Sequence, residues 1–265
     1  MLGGRRPRAV GEQGEPTAIV GTVTGIVASG RREGRFEVAV DGRRAVVVSL
    51  ELIARVGLRV GMVLDERAGV ALASGAGELA TYDRALGLLA AQGRSATELR
   101  RRLVQRGEPA AYAEAAVARL LAAGLLDDAA YARQLARSRV LGRGESRRRA
   151  AQVLGQRGVE RAVADEAVAE VFDEESVDEA TLVEEAARKR LRTLGALDEA
   201  TRRRRLWGYL ARRGFDGGVI RAALDRVLGA GAGGLADADG GGDDVHDATG
   251  AWGDGEVDGV EPRDG

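Results

Sequence analysis

The chain has 265 residues and a formal net charge of −1 at pH 7, and it contains no Cys and a single His, His246. This length can bury the core of one or two ordinary domains. The absence of Cys excludes disulfides, thiolate nucleophiles and Cys-ligated metals, and one His excludes a metal site built from several His residues.

Charge is distributed unevenly along the chain. Residues 230–265 carry ten acidic residues against one basic residue, Arg263, so the preceding part of the chain is basic. Nearly all basic residues are Arg, and Lys189 is the single Lys. Because Arg binds phosphate in a bidentate manner, this composition is compatible with nucleic-acid contact. A coding bias that also favours Ala, Gly and Val is an alternative explanation of the Arg to Lys ratio.

The first two segments precede any helical pattern. Residues 1–16 contain Gly, Arg and Pro without a hydrophobic period and are predicted to be a disordered arm. Residues 17–78 are predicted to form a small β-rich N-terminal cap, in which Asp41-Gly42 favours a hairpin turn and residues 49–56 favour one short helix. β-Branched or alternating residues predict strands at residues 19–27, 36–40 and 45–48.

From Leu79 onward the apolar residues recur with a helical period, and the pattern repeats three times. Three Arg-Gly pairs align the repeats, and each Gly suits the left-handed position that follows a helix. These pairs are Arg106-Gly107, Arg157-Gly158 and Arg213-Gly214. Apolar residues stand at four common offsets from the Gly: Leu99, Ala150 and Leu206; Leu103, Leu154 and Leu210; Val117, Val168 and Leu224; and Leu120, Val171 and Val227.

The predicted fold class is therefore mainly α, with three tandem three-helix modules in an extended array. An amphipathic stretch precedes each aligned pair, which gives each module its first helix, at residues 82–91, 129–141 and 180–194. The modules are predicted at residues 79–127, 128–174 and 175–229, and residues 230–265 are predicted to be a disordered Gly- and Asp-rich tail.

Capping residues support these helices. Ser95 and Glu98 have the spacing of a capping box, and Asp128 and Asp198 are predicted N-caps. Pro109 suits the first turn of a helix.

Sequence signals of an enzyme are missing, and no catalytic residue, metal or cofactor is expected. Gly142-Arg143-Gly144 lacks the third Gly of a dinucleotide loop, and no Gly-Lys-Ser/Thr occurs. Asp127 and Asp128 are adjacent, so their side chains would diverge on a helix and are better suited to capping. The apolar run at residues 120–126 is too short to span a bilayer, so a cytoplasmic protein without a membrane partner is expected.

Clusters of consecutive arginines are the most informative feature for function. Each cluster lies in the predicted second helix of a module or at its start: Arg100, Arg101 and Arg102; Arg147, Arg148 and Arg149; and Arg202, Arg203, Arg204 and Arg205. Three or four consecutive residues cover most of a helix circumference, so part of each cluster must face solvent. A solvated face paired with nearby acids explains any one cluster, whereas three clusters in register favour contact with the phosphates of a polyanion.

Several stretches of the chain resemble the RecX family. The most specific is Gly124-Leu125-Leu126-Asp127-Asp128-Ala129-Ala130-Tyr131-Ala132, and residues 94–103 and 210–215 add to it. The resemblance covers residues 17–228. It implies three tandem three-helix modules and binding to RecA filaments on single-stranded DNA, with inhibition of the RecA ATPase, strand exchange and coprotease activities. No catalytic residues are implied, and we expect a monomer.

Two other functions remain open from the residues alone. The basic second helices are also compatible with a helix-turn-helix regulator that binds double-stranded DNA. A purely protein-binding helical solenoid, in which the arginines contact acidic partners, is the other alternative.

Overall fold

A computed structural model describes residues 17–30, 33–195 and 197–229. The predicted arm at residues 1–16 and the predicted tail at residues 230–265 lie outside these residues. The described chain begins with strands β1 Gly21–Ala28, β2 Arg35–Val40, β3 Arg43–Ser49 and β4 Val63–Leu64, with helix α1 Leu50–Val56 between β3 and β4.

The strands form one antiparallel sheet in the order β3-β2-β1-β4. The predicted hairpin turn between β2 and β3 is confirmed, because Asp41 and Gly42 both have positive φ, as a tight two-residue turn requires. Val23, Val38 and Val48 are fully buried and pack with α1 and the helix that follows β4. The N-terminal cap therefore has a hydrophobic core of its own.

Helix α2 Glu66–Ala91 connects the sheet to the helical part of the chain. It begins at the N-cap Asp65, whose carboxylate accepts a hydrogen bond from Ala68 N. The sequence predicted helical period only from Leu79 onward, so the predicted boundary between cap and first module lies inside this helix. Arg35 of β2 forms a largely buried ion pair with Asp83 of α2 at 2.7 Å, which fixes the sheet against the helix.

Three three-helix modules follow in the described residues, and the mainly α fold class is confirmed. The C-terminal part of α2 is the first helix of module 1. The remaining helices are α3 Ala96–Gln105, α4 Ala110–Ala122, α5 Asp128–Arg137, α6 Arg147–Gln156, α7 Arg161–Glu174, α8 Glu179–Leu191, α9 Glu199–Arg212 and α10 Gly217–Leu228. A short π-helix, Ser138–Gly142, continues α5, so the stretch predicted as one helix at residues 129–141 changes its hydrogen-bonding pattern near its end.

The aligned apolar positions form the cores of the modules. Each module has a separate hydrophobic cluster, and the residues four before each Arg-Gly glycine, Leu103, Leu154 and Leu210, are fully buried. Ala150 is also fully buried where the other modules have Leu, and the adjacent Val153 is buried beside it. The repeat read from the sequence is therefore a repeat of core packing.

The predicted caps are confirmed in part. Ser95 and Asp198 cap α3 and α9 with their side chains. The N-cap of α5 is Asp127 and not Asp128, because the Asp127 carboxylate accepts bonds from the N–H groups of Ala129 and Ala130. Pro109 is the N-cap of α4 and lies just before its first turn.

Candidate nucleic-acid interface

The three arginine clusters lie on the second helices of the three modules, as the sequence predicts. Arg100, Arg101 and Arg102 are in the middle of α3, Arg147 to Arg149 form the first turn of α6, and Arg202 to Arg205 are in the first half of α9. The clusters differ in how much of their charge is already used inside the protein.

The cluster on α3 faces solvent. All three of its arginines are exposed. Arg100 lies 3.4 Å from Glu114, but both side chains are at least half exposed, so this pair contributes little free energy. No carboxylate within the described residues pairs with Arg101 or Arg102. Their guanidinium groups are therefore available to an external anion.

The cluster on α6 contacts neutral groups. The Arg147 guanidinium lies 3.9 Å from the centroid of the Phe172 ring. Arg148 Nε donates to the carbonyl oxygen of Gly214 at 3.3 Å, and Arg149 Nη1 donates to Gln152 Oε1 at 2.8 Å. These contacts orient the side chains without cancelling their charge.

The cluster on α9 is divided. Arg203 forms an ion pair with Asp225 of α10 and is largely buried. Arg202 is half-buried, and its Nε has no hydrogen-bond partner among the described residues. Arg204 and Arg205 are exposed. The charge of Arg203 is thus used in an ion pair within module 3, while Arg204 and Arg205 face solvent.

Modules 1 and 2 meet at the N-terminus of α3. The Ser95 hydroxyl, which caps α3, also donates a hydrogen bond to the carbonyl oxygen of Arg157 at the end of α6, at 2.5 Å. The first N–H of α3, that of Ala96, donates to Asp128 Oδ1 at 2.8 Å. Asp128, predicted as an N-cap of its own helix, therefore binds the start of a helix in the preceding module.

Modules 2 and 3 meet at the N-terminus of α6. Ser146, the N-cap of α6, donates its backbone N–H to the carbonyl oxygen of Arg213 at 3.0 Å. The first N–H of α6, that of Arg147, donates to Glu179 Oε1 at 3.3 Å. At both junctions the end of one second helix is thus bonded to the start of the second helix in the preceding module. The three arginine clusters therefore lie on consecutively connected helices.

The glycines of the Arg-Gly pairs show where the junctions are tight. Gly107, Gly158 and Gly214 all have positive φ, as predicted for residues that follow a helix. A Cβ at Gly158 would lie 2.8 Å from Thr97 Cβ, and one at Gly214 would lie 2.6 Å from Arg149 Cβ. A Cβ at Gly107 would meet no atom within 4 Å. Gly158 and Gly214 therefore permit the close approach of neighbouring modules.

The capping box predicted at Ser95 and Glu98 forms only in its first half. Ser95 accepts a bond from Glu98 N at 3.1 Å. The Glu98 carboxylate is instead bonded to Arg94 at 2.6 Å and lies 3.5 Å from Arg157. A box needs the carboxylate to reach back to the N-cap, and the two guanidinium groups offer it stronger, charged partners.

Sequence reasoning missed several residues that build this surface. Arg212 faces the start of α6, and Asp128 and Glu179 hold the junctions. The signal for Arg212 is its place in Arg212-Arg213-Gly214, where one arginine precedes the pair that docks on the neighbouring module. Among the described residues, no group of three or more acidic, Cys or His side chains is placed to hold a metal ion. No helix in the described part of the chain has the length and apolar character that crossing a membrane requires.

Comparison with known proteins identifies the repeat. Sequence models of the first, second and third three-helix domains of RecX match residues 82–120, 127–168 and 178–224. The chain is 38% identical to the regulatory protein RecX of Amycolatopsis mediterranei over 141 residues, which are 53% of this chain and 79% of that protein. The chain belongs to the RecX family. The resemblance read from the sequence is thus confirmed.

Other RecX proteins agree with this assignment. The regulatory protein RecX of Mycobacterium avium is 41% identical over 132 residues, covering 49% of this chain and 74% of that protein. A crystal structure of a regulatory protein RecX superposes with a TM-score of 0.62 at 25% identity, over 77% of this chain and 98% of the other. The RecX domain matches fall on the three modules in chain order.

Proposed function

We propose that this RecX-family protein regulates the RecA recombinase by binding RecA filaments on single-stranded DNA. Through this binding it inhibits the RecA ATPase, strand exchange and coprotease activities, and so modulates recombination, DNA repair and the SOS response. It acts as a cytoplasmic monomer without catalysing a reaction. The observation that supports this proposal most strongly is the placement of an arginine cluster on each of three connected helices in a RecX-family chain.

Connected clusters suit a repeating anionic partner. An exposed arginine gains little from a single phosphate, because solvent and salt screen the charge. When several clusters are carried on one body, the second and third contacts become intramolecular, so the total affinity far exceeds that of one cluster. A filament that presents phosphates and acidic side chains at regular intervals offers this arrangement of sites.

In this proposal the protein inhibits RecA by bridging neighbouring RecA subunits. A body that contacts neighbouring RecA subunits at the same time opposes their relative movement, which ATP hydrolysis and strand exchange require. The same contacts at a filament end oppose the addition of subunits. The direct bonds at Ser95 and Ser146 support this role, because they restrain the modules and allow the body to resist such movements.

The test is a RecA ATPase assay on single-stranded DNA in which the full-length protein is titrated. We expect ATP hydrolysis to fall as the protein approaches the concentration of filament sites. An unchanged rate, together with unaltered filaments by negative-stain electron microscopy at saturation, would reject the proposal.

A gel shift separates the competing functions. Its substrates are bare duplex, bare single strand and RecA-coated single strand. Preference for the RecA-coated strand supports a filament regulator. Sequence-dependent preference for duplex DNA would identify a helix-turn-helix regulator, and the absence of any DNA-dependent binding would identify a solenoid that binds only protein.

A further inference from the structure

The two module junctions join equivalent helix ends but carry opposite charges at equivalent positions. When the Arg-Gly pairs are aligned, Arg94 and Glu98 of module 1 correspond to Glu145 and Arg149 of module 2. The acidic and basic residues have exchanged places. The position that carries a carboxylate at the first junction therefore carries a guanidinium group at the second.

The first junction is closed by its own carboxylate. Glu98 is buried, and its side chain lies between Arg94 of its own module and Arg157 of the next. The distances are 2.6 Å to Arg94 Nη1 and 3.5 Å to Arg157 Nη1. This carboxylate thus faces both its own arginine and the arginine that the neighbouring module brings to the junction.

The second junction lacks such a carboxylate. Arg213, which corresponds to Arg157, has no carboxylate partner among the described residues, and its guanidinium group lies 4.5 Å from the Tyr209 ring centroid. Glu145 is buried and lies 3.0 Å from Arg139 Nε, and Glu179 accepts the N–H of Arg147. The two carboxylates close to this junction are therefore already used by other partners.

The consequence is an open, basic groove between modules 2 and 3. It has a volume of about 630 Å³ and is lined by Arg148, Arg149, Gln152, Ala211, Arg212 and Gly214. None of its three arginines has a carboxylate within 4 Å in the described chain. Arg148 is held by the Gly214 carbonyl and Arg149 by Gln152, so both groups are oriented in advance.

We propose that this groove binds a backbone phosphate of single-stranded nucleic acid, which takes the place that a protein carboxylate has at the first junction. The proposal rests on the proposed nucleic-acid contact and assigns it to one location. Each guanidinium group has five N–H donors in a fixed fork, and the contacts to Gly214 and Gln152 leave most of them free. A phosphodiester group presents several oxygens that accept hydrogen bonds from such forks.

The test measures the binding of fluorescein-labelled oligothymidylate to the full-length protein by anisotropy, without RecA, over a series of salt concentrations. The variant is Arg149→Gln/Arg212→Gln, which keeps Arg148 and its bond to Gly214. We expect about tenfold weaker binding, and a slope of log K against log salt that decreases by about 0.7 for each phosphate that the variant no longer neutralises. The control, Arg106→Gln/Arg161→Gln, removes the same charge at two exposed positions outside the groove and should bind nearly as the wild type.

A second variant separates binding from folding. Arg149→Glu reverses the sign of one charge that lines the groove. We expect this variant to lose oligothymidylate binding at least as strongly as the double variant while it still unfolds cooperatively in thermal denaturation.

The outcomes distinguish this inference from the proposed function. If the wild type binds oligothymidylate and inhibits the RecA ATPase but the groove variants bind as the wild type does, the groove is not a phosphate site and the proposed function stands. If the groove variants lose binding to DNA-free RecA and keep oligothymidylate binding, the groove binds protein and the inference is overturned. If the wild type neither binds oligothymidylate nor affects RecA, both proposals are rejected.

Discussion

Ser95 and Ser146 occupy equivalent positions at the two module junctions, but they bond to the following module through different atoms. Ser95 donates its hydroxyl to the carbonyl oxygen of Arg157, whereas Ser146 donates its backbone N–H to the carbonyl oxygen of Arg213. Each serine also caps its own helix. Helix initiation and module docking therefore depend on the same two residues.

The Ser95 side chain should contribute to stability twice. Ser95→Ala removes the cap of α3 and the bond to Arg157, so we expect the free energy of unfolding to fall by about 2 kcal/mol. Urea denaturation measures this change. Ser138→Ala changes an exposed side chain for which no hydrogen bond is recorded in the described chain and keeps the backbone bonds that Ser138 makes at the end of α5; it is the control and should change stability by less than about 0.5 kcal/mol. Equal effects of the two substitutions would contradict the dual role of Ser95.

The three aligned glycines should respond unequally to Ala. Gly107→Ala should cost about 1 to 2 kcal/mol, because a Cβ disfavours the left-handed conformation. Gly214→Ala should cost more, since the added Cβ also meets Arg149 and Ser146 at 2.6 to 2.7 Å. Thermal unfolding of both variants provides the comparison. If Gly214→Ala were no more destabilising than Gly107→Ala, the junction would not be as tight as described.

Glu98→Gln tests the closed first junction. The substitution leaves the largely buried Arg94 without its carboxylate, so we expect a loss of about 2 kcal/mol in the free energy of unfolding. Glu114→Gln removes a pair that is well exposed on both sides and should cost less than about 0.5 kcal/mol. Chemical denaturation of the two variants in parallel checks the prediction. Similar stabilities would show that the buried pair is not stabilising.

Substitutions within the α9 cluster should affect DNA binding and stability separately. Arg203→Gln breaks the ion pair with Asp225 and should lower the Tm with little direct effect on DNA affinity. Arg204→Gln/Arg205→Gln removes exposed charge and should weaken DNA binding at an unchanged Tm. Anisotropy and thermal denaturation on the same preparations provide both measurements. The division of this cluster would be wrong if Arg203→Gln weakened binding at an unchanged Tm.

Acid stability should depend on the cap of α9. Hydrogen bonds from Thr201, first from its backbone N–H, hold the pKa of Asp198 below its ordinary value. A depressed folded-state pKa contributes stability above the unfolded-state pKa of about 3.9, and this contribution is lost as the pH falls through the lower folded-state value. Asp198→Asn keeps a capping side chain that does not titrate.

We therefore expect Asp198→Asn to lose less stability than the wild type as the pH falls below about 4. Urea midpoints measured from neutral pH down to acid pH test this expectation. Asp178→Asn should behave in the same way, because the Asp178 pKa is lowered by equivalent bonds from Thr181. Parallel pH profiles of wild type and both variants would contradict the assignment.

Local features of this fold were readable from the sequence. The turn at Asp41-Gly42, the caps at Ser95 and Asp198, and the glycine that ends each second helix depend on neighbours a few residues away. The core repeat was readable because helix geometry converts a spacing of three or four residues into one buried face. The placement of the arginine clusters on second helices follows from the same periodicity.

Features that depend on long-range contacts could not be predicted from the sequence. The start of α2 was missed because Gly69, Gly75 and Gly77 lower helix propensity in its first half. They are tolerated because a Cβ at Gly75 would clash with Leu52 and one at Gly77 with Tyr112. Tertiary contacts therefore determine where α2 begins.

The bonds across the junctions also join residues far apart in the chain. Ser95 and Arg157 are 62 residues apart, and no local pattern predicts that they meet. The same holds for the basic groove, whose lining comes from two modules. Such sites depend on how the modules dock, which sequence periodicity does not encode.

The unbroken course of α2 fixes the direction in which the N-terminal sheet points. A helix of 26 residues is about 39 Å long, and the ion pair of Arg35 with Asp83 holds the sheet against its side. Any rotation of the first module must turn the sheet through the same angle. Protein or nucleic acid bound to the sheet would thus keep a fixed orientation relative to the arginines of α3.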